Sequence, residues 1–118
     1  MKYEDFLQVV VQESLIAVRD SYSDSPDRLS GAESGLRACL GKSPDELKTI
    51  LKQAQETSKE ARFDRSDNYW EVRCYEIEVE WVCDCISAIL VKNGREPILG
   101  KPTKRGIMNA DRVMRVCA

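Results

Sequence analysis

Apolar positions recur along most of this chain at the spacing of a helix. From about Tyr3 to Arg19, the residues Tyr3, Phe6, Leu7, Val10, Val11, Ala17 and Val18 form a broad stripe on one face. Asp20 to Asp27 reads Asp-Ser-Tyr-Ser-Asp-Ser-Pro-Asp, a polar, turn-rich linker. A short second helix comes next. Ser30-Gly31-Ala32-Glu33 matches a capping box, with an earlier start at Ser25-Pro26-Asp27 as the alternative. Ala32, Leu36 and Cys39 share a face, and Gly41 is placed to end the helix in a left-handed cap. The third helix opens at Ser43, with Pro44 in the first helical position and Asp45 and Glu46 at the positive end of the dipole. Leu47, Ile50, Leu51, Ala54 and Ala61 line its apolar side, and the pattern fades near Arg62.

The stretch from about Tyr69 to Val91 supports two readings. Tyr75 to Trp81 alternates with period 2, as a strand would. Over the longer window two helical stripes emerge: Trp70, Cys74, Ile77, Trp81, Cys85 and Ala88, and beside them Val72, Tyr75, Val79, Val82, Ile86 and Ile89. Arg73, Glu76, Glu80, Asp84 and Ser87 then share one narrow polar strip. The run of about 23 residues has no Gly or Pro and far exceeds a typical strand of about 5–6 residues. A central helix, apolar around most of its girth, is the expectation.

Asn93-Gly94 closes that helix, and Pro97, Gly100 and Pro102 keep residues 95–102 from forming another. A last helix runs from about Thr103 to Val116 with Ile107, Ala110, Val113, Met114 and Cys117 inward. The expected fold is all-α: a single domain over residues 1–118, a bundle of four main helices plus one short one. The alternative is α+β with a strand at about 72–82.

Composition removes whole classes of chemistry. The 118 residues include no His, which excludes Ser-His-Asp and Cys-His nucleophile pairs and His-ligated metal centres. Five Cys, an odd number, argue against a disulfide framework and for reduced thiols in a cytoplasmic protein. Val9-Val10-Val11 is too short for a signal-peptide core. Glu78, Glu80 and Asp84 break the most apolar stretch, Ile77 to Val91, so no membrane span is expected. The net charge of −2 hides an asymmetry: residues 1–91 carry 11 basic and 18 acidic side chains, residues 92–118 carry 7 and 2.

Four groups of residues could carry chemistry. Glu71 and Glu78 lie nearly opposite the polar strip of the central helix, so they are buried-carboxylate candidates: raised-pKa acids or metal ligands in the core, with a structural ion pair or a partly exposed groove position as the alternative. Glu76, Glu80 and Asp84 recur every fourth residue and could offer oxygen ligands to Mg²⁺. That arrangement resembles the all-α nucleoside-triphosphate pyrophosphohydrolases, whose paired helices carry E-x-x-E and E-x-x-D. Here the spacing is x-x-x, in Glu56 to Glu60 as in Glu80 to Asp84, and the function does not carry over. Cys83 and Cys85 point about 200° apart on a helix and cannot clasp one zinc ion, so they read as packing residues.

Thr103, Lys104, Arg105 and Arg112 form an anion-binding candidate, because the last helix opens with cations where its dipole is already positive. Tyr69, Trp70 and Tyr75 are interface candidates. No catalytic set and no cofactor is implied. The leading expectation is a protein-interaction or self-associating module, whose partner is another protein or a second copy in a homodimer. The alternatives are a Mg²⁺-dependent enzyme acting on a phosphorylated small molecule, and a weak nucleic-acid binder using the basic tail. The acidic body and the lack of aromatic interleaving count against nucleic acid.

Overall fold

A computed structural model describes residues 3–118. Five helices run in sequence: α1 (Tyr3–Ser21), α2 (Pro26–Ala38), α3 (Pro44–Phe63), α4 (Tyr69–Lys92) and α5 (Lys104–Cys117). There is no strand among the described residues, and Tyr75 to Trp81 is continuous helix. The period-2 alternation there reflects a helix whose faces are nearly all covered.

The ends of α3 show how local chemistry fixes these boundaries. The Ser43 hydroxyl accepts the Glu46 N–H at 3.2 Å while the Glu46 carboxylate accepts the Ser43 N–H at 3.0 Å, a complete capping box. Gly41 just ahead of it, and Gly94 just after α4, both sit at φ +72°. That is left-handed backbone, which Gly adopts without steric cost. Tyr3 ties the start of α1 to the turn before α3, its hydroxyl donating to the Lys42 carbonyl at 2.8 Å.

The first turn of α2 departs from the expectation. The helix starts at Pro26, one turn earlier than the Ser30 box would place it, and Ser25 makes no side-chain cap. Proline at the first helical position pre-sets φ, and this outweighs the Ser30–Glu33 pattern. Glu33 is an interior residue whose carboxylate takes Arg37 at 2.9 Å and Arg19 of α1 at 3.3 Å.

α4 is the axis of the molecule, packed against α1, α2, α3 and α5. From Val82 to Leu90 every residue is buried. Burial on all sides explains why this helix is apolar around its girth. Beside it, α2 approaches through Gly31 and Gly35, one turn apart, which let the two backbones come close. Phe6, Leu7, Val10 and Val11 of α1, Leu47 and Leu51 of α3, and Ala110 and Val113 of α5 complete the core.

Two apolar expectations fail. Ala17 is exposed and Ser14 is buried in its stead. In α5, Ile107 is 38 % exposed while Gly106 is buried. The start of α5 is drawn onto α4 by Asp84, which turns position 106 rather than 107 inward.

Four of the five thiols, Cys39, Cys74, Cys83 and Cys85, are buried, and all five are unpaired. Burial pushes Cys39 and Cys83 up to about 12 and Cys85 up to about 11. The Cys83 thiol donates to the Leu47 carbonyl, and Asn109 donates to the Cys85 sulfur at 3.0 Å. Both are packing residues, in line with the sequence. Among the described residues no three potential ligands cluster as a metal site would require.

Candidate binding cleft

The polar strip of α4 is not a solvated face. It is where the 93–103 connection and α5 are fastened. Ser87, fully buried, accepts the N–H groups of Ile98 and Leu99 at 3.0 and 3.1 Å. Asp84, 9 % exposed, accepts the Thr103 N–H at 3.0 Å and the Thr103 hydroxyl at 2.5 Å. The Thr103 oxygen in turn accepts the Gly106 N–H at 3.1 Å and caps α5. An anion does therefore sit at the start of α5, and the chain supplies it. A carboxylate at the positive end of a helix dipole is the same interaction that a bound phosphate would make.

This accounts for the anion-binding candidates residue by residue. Thr103 is occupied by Asp84. Arg112 donates to Glu13 of α1 at 2.7 Å and also to Asn109. Arg105 lies over the face of Trp81, 4.6 Å from the ring centroid, as a cation–π pair. Lys104 is exposed and forms no ion pair among the described residues.

The carboxylate candidates also separate. Glu76 is paired with Arg73 at 2.7 Å, Glu80 is exposed, and Asp84 is committed to Thr103. The structure does not bring the three together around an ion. Glu71 is only half-buried and accepts from Ser30 of α2 at 3.4 Å, so the expectation that it is buried does not hold. Glu78 is buried as expected, at 9 % exposure.

The interface candidates do not form one surface. Trp70 is 51 % exposed, with Tyr69 edge-on at 5.1 Å and the Arg28 guanidinium over its ring at 4.3 Å. Tyr75 is half-buried and faces α3, lining a smaller cleft of about 390 Å³ with Ile50 and Val72.

A cleft of about 660 Å³ lies between α1, α4 and the segment that carries residues 99–112. That volume falls within the range of small-ligand sites. Glu13, Ala17 and Tyr22 line one side, Glu78 and Trp81 the middle, and Lys101 and Arg105 the other. Sequence reasoning missed Tyr22 and Lys101, which lie in connections whose course no periodicity fixes.

Ion pairs match only part of the charge in the cleft. Arg112 answers Glu13, although the Glu13 Oε1 atom is buried without a partner. Among the described residues Glu80, Lys101 and Arg105 of the cleft form no ion pair, and Glu78 forms neither an ion pair nor a hydrogen bond while its carboxylate oxygens keep contact with solvent. Burial pushes its carboxyl above the usual range, and the Arg105 charge offsets this only in part. Burial likewise raises Tyr22, with Cys74 and Glu78 beside it adding to the effect.

This shift has a definite sign in stability. The folded chain holds the Glu78 proton more tightly than the unfolded chain does. Its contribution is therefore fully present at acid pH, is lost as pH climbs from the ordinary value of 4.5 through the raised folded value, and stays lost above that. Glu78→Gln is expected to be more stable than the parent at pH 7.5 and to match it at pH 3.5. Urea unfolding at the two pH values measures the difference; a variant less stable at pH 7.5 would mean that Glu78 is ionised and stabilised by a partner.

No helix of the described residues is long and apolar enough to cross a membrane. Comparison of the chain with protein-family models, with curated proteins and with solved structures finds no match.

Proposed function

We propose that this chain is a small protein-interaction module, cytoplasmic and without a catalytic set of its own, that docks another protein in the cleft between α1, α4 and α5. The observation that carries this reading is Glu78: a buried residue in the wall of this cleft whose carboxyl has no hydrogen bond or ion pair among the described residues. Desolvating a carboxyl without a partner opposes folding, and an apolar residue of similar size would avoid that cost. Groups that break such a rule persist where they meet a ligand. Five unpaired thiols suit a reducing compartment.

The rival readings find less support. A Mg²⁺-dependent enzyme would draw on Glu76, Glu80 and Asp84, two of which are already engaged by Arg73 and Thr103. A nucleic-acid binder would draw on a tail in which Arg105 and Arg112 are turned to Trp81 and Glu13. Self-association has one observation in its favour. Phe63 and Trp70, 88 % and 51 % exposed, flank the turn at residues 64–68. The surplus apolar surface of α4 no longer argues for a dimer, because four helices of the same chain cover it.

Photo-crosslinking in cells of the native host tests the reading. A crosslinker replacing Ala17, exposed on the rim of the cleft, is expected to give one defined protein adduct. The same group replacing Gln55, on the outer face of α3, is expected to give none. Equal adducts from both positions, or adducts confined to position 63, would overturn it; in the second case, adducts at twice the chain mass would point to self-association.

A further inference from the structure

The last helix is held in two different ways along its length. Its start is pinned. Asp84 accepts the N–H and the hydroxyl of Thr103, and Ser87 accepts the N–H groups of Ile98 and Leu99 in the connection just before it. Beyond Gly106 the apolar contact is thin: Ala110 and Val113 are buried, while Met108 and Val116 are exposed. What fastens this far half is charge. Lys92 of α4 reaches Asp111 at 2.6 Å, and Arg112 reaches Glu13 of α1 at 2.7 Å. We propose that α5 is a hinged wall of the cleft, which pivots on its Asp84–Thr103 anchor and is latched by these two ion pairs against α4 and α1. The hinge is a property of the walls and is independent of what docks between them.

The latch on α1 is only half made. Arg112 gives one terminal nitrogen to Glu13 Oε2 and the other to the side-chain oxygen of Asn109. Glu13 Oε1 is left buried without a partner. A wall that stays shut would be better served by a two-pronged arginine–carboxylate pair, which answers both oxygens. Here closure strips water from one carboxylate oxygen and offers nothing in return; swinging α5 outward restores that hydration. Burial of Ala110 and Val113 opposes the swing, so the closed form predominates and the open form is a minor population. Both latches are partly exposed to solvent, where ion pairs are weak and are screened by salt.

Asn109 marks what opening uncovers. Its amide donates to the Cys85 sulfur at 3.0 Å, which completes a chain of contacts from Glu13 on α1 through Arg112 and Asn109 to α4. Cys83, two residues away, faces α3 instead, where its thiol donates to the Leu47 carbonyl. One thiol therefore sits under the moving wall and the other in the fixed core. The same movement widens the cleft, because residues 99–112 form one of its sides.

The experiment uses the whole chain and the uncharged thiol reagent iodoacetamide. The rate at which Cys85 is labelled reads the fraction of open molecules, and peptide mass spectrometry separates it from Cys83 and Cys39, the internal controls for the core. Raising NaCl from about 0.05 M to about 0.5 M at constant pH is expected to speed Cys85 labelling about threefold, with Cys83 and Cys39 unchanged. Neutralising both latches in the double variant Glu13→Gln, Asp111→Asn is expected to speed it about fivefold at the lower salt concentration and to abolish the salt effect. Cys83 and Cys39 labelled as slowly as in the parent show that this variant keeps its fold. Cys85 labelling indifferent to both salt and the double variant, a salt effect as large in the variant as in the parent, or Cys83 rising in step with Cys85 would each overturn the proposal. In the last case α5 leaves α4 only when the whole fold opens.

Discussion

Gly31→Ala is expected to lower the melting temperature by about 8 °C, the largest effect of any single methyl group in this chain. A Cβ built on Gly31 would overlap the carbonyl oxygen of Glu71 and lie 2.9 Å from its Cα. An ordinary non-bonded contact needs about 3.5 Å, so the two helices would have to part at their closest point. The obstacle is the backbone of α4, and no rotamer change can relieve it. Alanine does gain about 1 kcal/mol over glycine in helix propensity. Overpacking a close crossing costs more, up to about 3 kcal/mol or beyond once the gap propagates into the core between α2 and α4. For a chain of this length about 4 °C accompanies each kcal/mol. Gly35→Ala meets the Tyr75 carbonyl at 2.6 Å and belongs to the same crossing with a smaller loss. Gly41→Ala is the control. Nothing lies within 4 Å of its Cβ, and only the left-handed φ of +72° opposes it, at about 1 kcal/mol. Thermal melts of the three variants followed by circular dichroism measure the order; a Gly31→Ala melt no lower than that of Gly41→Ala would show that the α2–α4 crossing is loose.

The helices were legible in the sequence because each boundary carries its own chemistry. The Ser43 capping box, the left-handed Gly41 and Gly94, and the unbroken stretch from 69 to 91 all act within a turn of the residues they fix. Where two local signals competed, the pattern alone could not rank them. Pro26 and the Ser30 box each promised a helix start, and the rigid ring prevailed. What stayed hidden was the partnering between helices. Gly31 read as a link in a capping box, when its use is to admit the α4 backbone. The spacing of Gly31 and Gly35, one turn apart on one helix, was the signal that could have found it.

The candidate site divides along the same line. Glu78 was visible because its angle on α4 sets it against the apolar side. Its freedom from any partner was not, since that depends on Arg105 choosing Trp81 over the carboxylate. The anion-binding tail was half visible. Thr103, Lys104 and Arg105 did mark a helix start short of negative charge. Which carboxylate would fill it depended on the path of residues 93–102, where prolines erase the periodicity that fixes faces elsewhere.

Asp84 is where that missing charge is found, and its removal should show how much of α5 depends on it. Asp84→Ala takes away an acceptor for two donors of Thr103 at once and the negative charge beside Lys104 and Arg105. Hydrogen bonds to a charged group and its interaction with the helix dipole together contribute about 3 kcal/mol where, as here, the carboxylate is buried although Thr103 itself is exposed. The Thr103 hydroxyl still caps Gly106, so α5 itself survives while its attachment to α4 weakens. Amide exchange in residues 104–110 is therefore expected to rise by about 100-fold, with exchange in α2 and α3 much less affected. A second substitution tests the cause. In the parent, a Cβ at position 106 would meet the Asp84 carboxylate at 2.5–2.8 Å, so Gly106→Ala alone should be destabilising. Once Asp84 is alanine the obstruction is gone, and Gly106→Ala should become neutral or favourable through helix propensity. The effect of Gly106→Ala would then change sign between the two backgrounds, which a double-mutant cycle in urea reads directly. Additive losses would mean that α5 is held by the burial of Ala110 and Val113 alone, and that the carboxylate is incidental to its docking.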